Sequence, residues 1–158
     1  MNYDDNGAFD EAGPAISSET RFKELIDHVM RGRDSDLMGA ALAGVRLAQV
    51  SWKGRDLSYA DLTGADLRLA DLAEANLTIA EMTLADLSGA NLRRANLFGA
   101  DLYGANLSGA NLTGAWLGGA DLDEANLSET ILRSASYDGD TRWPEDFNPR
   151  ASGAILVA

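Results

Sequence analysis

The stretch ANLSGANLTGAWLGGADL, residues 105–122, repeats one five-letter phrase and breaks it once: Trp116 stands in a slot that Asn106, Asn111 and Asp121 fill in the neighbouring phrases. Followed outward, the phrase keeps its register. Leu recurs at 57, 62, 67, 72 and 77, Met stands at 82, and Leu returns at every fifth position from 87 to 132. Backwards the series continues through Trp52, Leu47, Leu42 and Leu37, and forwards it reaches Tyr137, so that twenty-one five-residue units run from 35 to 139. We number the slots of a unit first to fifth, with the central apolar residue third. The first slot holds Ala in every unit from Ala60 to Ala125, preceded by Val45 and Val50 and followed by Thr130 and Ala135.

An α-helix cannot use this period, because five residues turn the side chain by about 500° and leave a drift of about 140° per unit. A flat strand fails too, since successive leucines an odd number apart point to opposite faces. The pattern is satisfied if each unit forms one side of a coil and the chain turns a corner at every unit, aiming each Leu and each Ala at a central axis. Four sides then close a coil of twenty residues, and strand-like spacing of about 4.8 Å stacks roughly five coils into a rod about 24 Å long. Such a core is filled by small, uniform side chains, in keeping with 46% hydrophobic residues of which few are aromatic.

The tandem A-(D/N)-L-x-x signature, as in ADLTG, ADLRL, ANLSG, ANLTG and ADLDE, resembles the pentapeptide-repeat family, and in particular its small cyanobacterial-type members. The resemblance covers about two thirds of the chain. It implies an all-β solenoid, a right-handed quadrilateral β-helix with the central and small residues inward and the other three slots outward. Gly at the fifth slot (64, 89, 99, 104, 109, 114, 119) suits a corner that needs positive φ. One coil lacks it: Leu69, Glu74, Ile79 and Leu84 follow one another in that slot, and another turn geometry is expected there.

Three segments result. Residues 1–34 form an arm and an amphipathic capping helix, in which Pro14 and Ser17 or Ser18 precede Phe22, Leu25, Ile26, Val29 and Met30 on one helical face, closed by Gly32. This α-helical cap covers the open first coil, because an unpaired strand edge invites aggregation. Residues 35–139 are the β-helix of about five coils. Residues 140–158 leave the period and close the other end with Trp143, Phe147, Ile155, Leu156 and Val157.

The net charge of −12 and the pI near 4.3 argue against direct nucleic-acid binding, which draws its affinity from clustered Lys and Arg. The lack of cysteine removes disulfides, thiolate nucleophiles and Cys-based metal sites. The acidic opening MNYDDNGAFDEAGPAISS has no apolar core of a secretory signal, and no run of 18 apolar residues exists to insert in a membrane, so a cytoplasmic protein is expected. Asn76, Asn106, Asn111 and Asn126 begin glycosylation sequons that the repeat itself generates. The single histidine, His28, falls in the capping helix and cannot make a triad or a metal cluster. Asp56, Asp61, Asp66 and Asp71 are regularly spaced, but acid–base catalysis needs carboxylates in a cleft that separates their pKa values. A convex rod offers none, and the short acids are better read as bonding to nearby backbone at turns. No catalytic residue, metal ligand or cofactor site is expected, and no enzyme activity.

Residues twenty apart stack on one face, which sorts the outward positions. The first face, built on Leu37, Leu57, Leu77, Leu97 and Leu117, carries an apolar column of Met38, Tyr59, Ile79, Phe98 and Trp116. The second carries Asp61, Glu81, Asp101, Asp121, Asp123 and Glu124 with no base. The third is mostly polar, and the fourth sets Lys53, Arg93, Arg94 and Arg133 against Asp71 and Glu74. Contiguous exposed apolar patches mark contacts, and aromatics and Met are favoured in interface cores. The function read from this pattern is a noncatalytic interaction or scaffold protein that binds a protein partner, or itself, through the apolar column. The N-terminal arm, with Tyr3, Phe9 and Ile16, is the competing cover for the same column. The alternative function is an acidic DNA mimic that inhibits a DNA-handling enzyme such as a type II topoisomerase, as some members of the resembled family do. The charge is spread rather than concentrated, with 14 acids and 7 bases in 35–139 against 8 and 4 in 1–34.

Overall fold

The computed structural model describes residues 37–157. The expected capping helix and arm of residues 1–34 lie outside them. From Ala41 to Ser136 the second-slot residue of each side pairs in parallel with the residue twenty further on, from Ala41↔Asp61 through Trp116↔Ser136. The twenty-residue, four-sided coil is therefore present as a backbone register.

The fate of the five N–H groups of a unit explains why the sequence takes this form. In the unit Ala60–Gly64, the first-slot N–H of Ala60 closes the preceding corner onto the C=O of Leu57 at 3.1 Å. The second-slot N–H of Asp61 donates down to Ala40 C=O (3.0 Å), and those of Leu62 and Gly64 donate up to Glu81 and Thr83 C=O (2.7 and 2.9 Å). The N–H of Thr63, in the fourth slot, has no neighbouring coil to reach and donates to the Asp61 side chain at 3.0 Å. The same bond recurs from Ser58 to Asp56, Thr78 to Asn76, Ser88 to Asp86, Phe98 to Asn96 and Ser108 to Asn106. Asp and Asn hold the second slot because each satisfies the one backbone donor that the coil leaves over.

Inside, the central and small residues from Leu57 to Leu122 are almost fully buried, with the large Trp52 in the same column. Each buried Leu contributes roughly 2 kcal/mol relative to exposure. Where Thr130 replaces Ala in the small slot, its Oγ1 donates to Leu107 C=O at 2.8 Å and is satisfied there.

The corners correct one expectation. Leu69, Glu74, Ile79 and Leu84 have φ of 58°, 62°, 55° and 58°, the same left-handed conformation as Gly64 and Gly99 at 61° and 63°. The turn is held on both sides, by the bond across the corner and by the rungs to the coils above and below, so the sequence cannot choose another geometry. Left-handed backbone costs an L-residue on the order of 1–2 kcal/mol, and a β-branched Ile most of all. Leu69 leans over the corner of the next coil, where a Cβ on Gly89 would fall 2.7 Å from its Cδ2. The bulky corner and the glycine above it thus belong together.

After Trp116↔Ser136 the register slips. Asp121 pairs with Arg142, twenty-one residues on. The strands β1 (Ser136–Tyr137) and β2 (Ile155–Leu156) pair in parallel with Ser136 opposite Ile155, nineteen residues on. The extra residue is absorbed at 138–141. There Thr141 Oγ1 donates to Leu117 C=O (2.9 Å) and accepts the Asp138 N–H (3.2 Å), while the Asp138 carboxylate accepts the N–H groups of Gly119, Asp140 and Thr141. Trp143 meets the Tyr137 ring edge-on, with centroids 5.4 Å apart, and Phe147 stacks on Trp143 at 5.3 Å. Of the apolar tail residues, Ile155 and Leu156 are exposed. Leu127, expected inward with its column, is only half-buried, because the tail does not cover its side of the coil.

Candidate partner surface

Second-slot columns run up every face, and their chemistry differs. On the first face Asn76 Nδ2 donates to the Asp56 carboxylate beneath it at 2.9 Å; on the fourth, Asn91 does so to Asp71 at 2.8 Å; on the third, Asn106 reaches Asp86 and Asn126 reaches Asn106, both at 3.2 Å. These amide ladders tie coil to coil through side chains. The Ser58 hydroxyl and N–H, helped by the Asn76 amide, hold the Asp56 carboxyl below its ordinary range. Arg68, with nitrogens 2.7 Å from both oxygens of Asp66, does the same for that acid.

On the first face Asn96 stands above Asn76 in the second slot, and Trp116 comes next. An indole cannot accept the fourth-slot N–H as Asn does. Instead it lies across Gly118, where a Cβ would fall 2.5 Å from the indole Cζ2 and 2.7 Å from Asp138 Oδ2. That position carries the ring from the second-slot column toward the fourth, where it meets Phe98 in an offset stack. The two rings are parallel within 3°, with centroids 6.4 Å apart. Gly118 is the only glycine in a fourth slot of the series, and beside a misplaced Trp it was the readable signal for this contact.

The other members of the column stand at the neighbouring corner or beside it. Tyr59 and Ile79 occupy corner slots of successive coils and are 58% and 45% exposed, and Ile79 adjoins Phe98, which is 43% exposed. The Ile79 N–H donates to Phe98 C=O at 2.9 Å, which fixes the two residues in adjoining coils. Met38 is exposed at the start of the described residues. The structure joins Phe98 to Trp116 by ring contact and sets Tyr59 and Ile79 along the same edge.

Around that edge the second face carries Tyr103, also exposed, which sorting by charge passed over. Here Asp61, Glu81, Asp101 and Asp121 pair in line, acid upon acid, with no amide between them. The expectation of a face without a base is corrected at its end. Arg142 continues the line above Asp121 and bridges Asp121 and Asp123 at 2.6 and 3.0 Å, leaving Glu124 beside them at the corner. Counting in twenties hid Arg142, because the extra residue after Tyr137 shifts it by one. Among the described residues no group of His, Cys, Asp or Glu is arranged to hold a metal ion, and no helix is long and apolar enough to cross a membrane.

A model of the pentapeptide repeats, in eight copies, matches residues 35–72, 67–104, 75–114 and 105–136. Among solved structures, the chain is similar to a pentapeptide repeat protein (Rfr23) from the cyanobacterium Cyanothece 51142, at 42% identity and a TM-score of 0.59. That match covers 59% of this chain and 63% of that one, so the chain spans less than two thirds of the Rfr23 chain. It is also similar to alr5209, a pentapeptide repeat protein from Nostoc Pcc 7120, at 36% identity over 85% of this chain and 94% of that one, with a TM-score of 0.45. A third, AT2G44920 from the Arabidopsis thaliana thylakoid lumen, is 28% identical over 68% of this chain and 73% of that one, with a TM-score of 0.42. No curated protein matches the chain.

Proposed function

The chain belongs to the pentapeptide-repeat family, whose fold is a right-handed quadrilateral β-helix, and on that premise we propose that it is a noncatalytic scaffold that binds a protein partner through its first face. The observation that carries this reading is the parallel Phe98–Trp116 pair, in which Phe98 is exposed and Trp116 half-buried against Gly118, with Ile79 one coil below and Tyr59 further down the same edge. Aromatic anchors on a rigid support bind with little loss of side-chain freedom, which is where interface energy concentrates. The fold supplies the rigidity, since the backbone beneath the pair is bonded to the coils on both sides. The charged faces set orientation and encounter rate.

The test is a pull-down from host lysate with the wild-type chain beside a Phe98→Ser/Trp116→Asp variant, with both sized by light scattering. Loss of a partner, or of a dimer, only in the folded variant supports the column. Equal capture by two folded proteins overturns it.

The acid-on-acid line of the second face favours a second reading, an acidic mimic of DNA that occupies a DNA-handling enzyme. Its support is weaker, because Arg142 closes the line and Tyr103 interrupts the face. Salt-sensitive binding to a type II topoisomerase is its signature. The proposed compartment is the cytoplasm; detection of the chain in a membrane-enclosed lumen by fractionation would reject it.

A further inference from the structure

One side of the last coil lacks its upper neighbour. On the side below it, Leu107 and Gly109 N–H donate to Asn126 and Ser128 C=O, and Asn126 N–H donates to Ala105 C=O. The corresponding groups one coil higher are the Leu127 N–H, the Glu129 N–H and the Ala125 C=O, and none has a hydrogen-bond partner among the described residues. The cause is the tail. Phe147 N–H closes a turn onto Pro144 C=O (3.0 Å) with Asp146 at φ 66°, a copy of the repeat's corner displaced by one further residue. Phe147 follows this turn in the position that elsewhere holds Ala, and its ring stacks on Trp143. Pro149 has no N–H to offer a ladder, and the chain rejoins the coil only where Gly153 C=O accepts the Ser134 N–H at 2.9 Å.

Between the bare edge and Pro144–Phe147 lies an open groove of about 390 Å³. Its floor is the half-buried Leu127 with Phe147 beside it, and the charged side chains that line it are Glu145 and Asp146, without a base. We propose that this edge takes up an extended, basic peptide segment of a protein partner as an added parallel strand. The repeat fixes the register. The incoming residue opposite Asn126 donates its N–H to Ala125 C=O and accepts the Leu127 N–H, and the residue two further on accepts the Glu129 N–H. The side chain between them points inward over Leu127 and is apolar. The two that flank it point outward, where Lys or Arg matches Glu145, Asp146 and Glu129. This site is separate from the aromatic column, and neither depends on the other.

The probe is the peptide acetyl-Gly-Lys-Leu-Lys-Gly-amide, titrated into the full 158-residue chain with amide exchange read by NMR. Saturable binding that slows exchange of the Leu127 and Glu129 amides by about tenfold or more, with little change at Leu107, is the expected result. Methylating the backbone nitrogen of the first Lys removes the donor to Ala125 and should weaken binding by at least about threefold. The Glu145→Gln/Asp146→Asn variant should weaken it as well, with the fold unchanged. Binding without protection at Leu127 and Glu129, or equal binding of the methylated peptide, overturns the proposal. So does protection of these amides that rises with protein concentration in the absence of peptide, which would assign the edge to a second copy.

Discussion

The coils between Ala60 and Ala115 and the turn that follows Trp116 solve the same problem by opposite means. In the first region the sides repeat one solution, with Leu and Ala inward, Asp or Asn on the spare N–H and a left-handed corner, and the unit with Glu81 and Met82 departs from it in the second and third slots. A residue's role there follows from its slot. In the second region each job belongs to one residue. Asp138 gathers three N–H groups, Thr141 ties the inserted turn to Leu117, Trp143 covers Tyr137, and Arg142 ends the acidic line. Repetition yields a core whose energetics can be read by position, whereas the end of the repeat must be read residue by residue.

The contrast is tested most severely by the same substitution in the two regions. Leu92→Ala, in the closed coils, should cost about 3 kcal/mol in urea denaturation, while Leu127→Ala on the bare side should cost about 1 kcal/mol or less. Equal costs would mean that Leu127 is covered. Next comes Ile79→Gly, which relieves a β-branched residue at positive φ and should raise stability by roughly 0.5–1 kcal/mol, read as a higher melting temperature. A loss of stability would show instead that the Ile79 side chain packs against the next coil strongly enough to outweigh its strain. Smaller again is Trp116→Asp, which restores the repeat's own residue type and should change stability by under about 1 kcal/mol while removing the ring from Phe98. Unfolding would make Trp116 structural.

The last prediction concerns pH. Gly119 N–H, followed by the N–H groups of Asp140 and Thr141, holds the Asp138 carboxyl below its ordinary value of 3.8. Its folded pKa is depressed, so the stability it confers is present above that value and is lost as pH falls through the lower, folded one. Asp138→Asn should flatten this acid limb and speed amide exchange in 138–157, leaving the coils before Trp116 unchanged. Propagation of the loosening into those coils would dissolve the distinction between the two regions.

Much of this was legible in the sequence because a period of five admits so few backbone paths. The central and small residues, the glycine corners and the sorting into faces all follow from counting. The Asp and Asn slot was assigned to backbone bonding in general terms; the particular donor, the fourth-slot N–H, required the coil. Three things escaped. The corners at Leu69 and Ile79 keep the glycine-like turn, since neighbouring coils impose it over the residue's own preference. Arg142 was hidden by one inserted residue, which defeats any count in twenties. The half-exposure of Leu127 depends on where Phe147 comes to rest, and no periodic signal carries that information.

The direction of the hydrogen bonds has a mechanical consequence. Three rungs join each side to the next, as Leu57, Tyr59 and Asn76 show on one side, so four sides hold adjacent coils together by twelve bonds that run along the stacking axis. A load spread over a whole coil must break all twelve at once. A pull on the chain itself loads one side at a time and meets three, or none on the bare side above Leu127. The repeat should therefore resist axial tension far better than peeling, and a partner that grips its faces would find a stiffer spacer than one that pulls on a single strand.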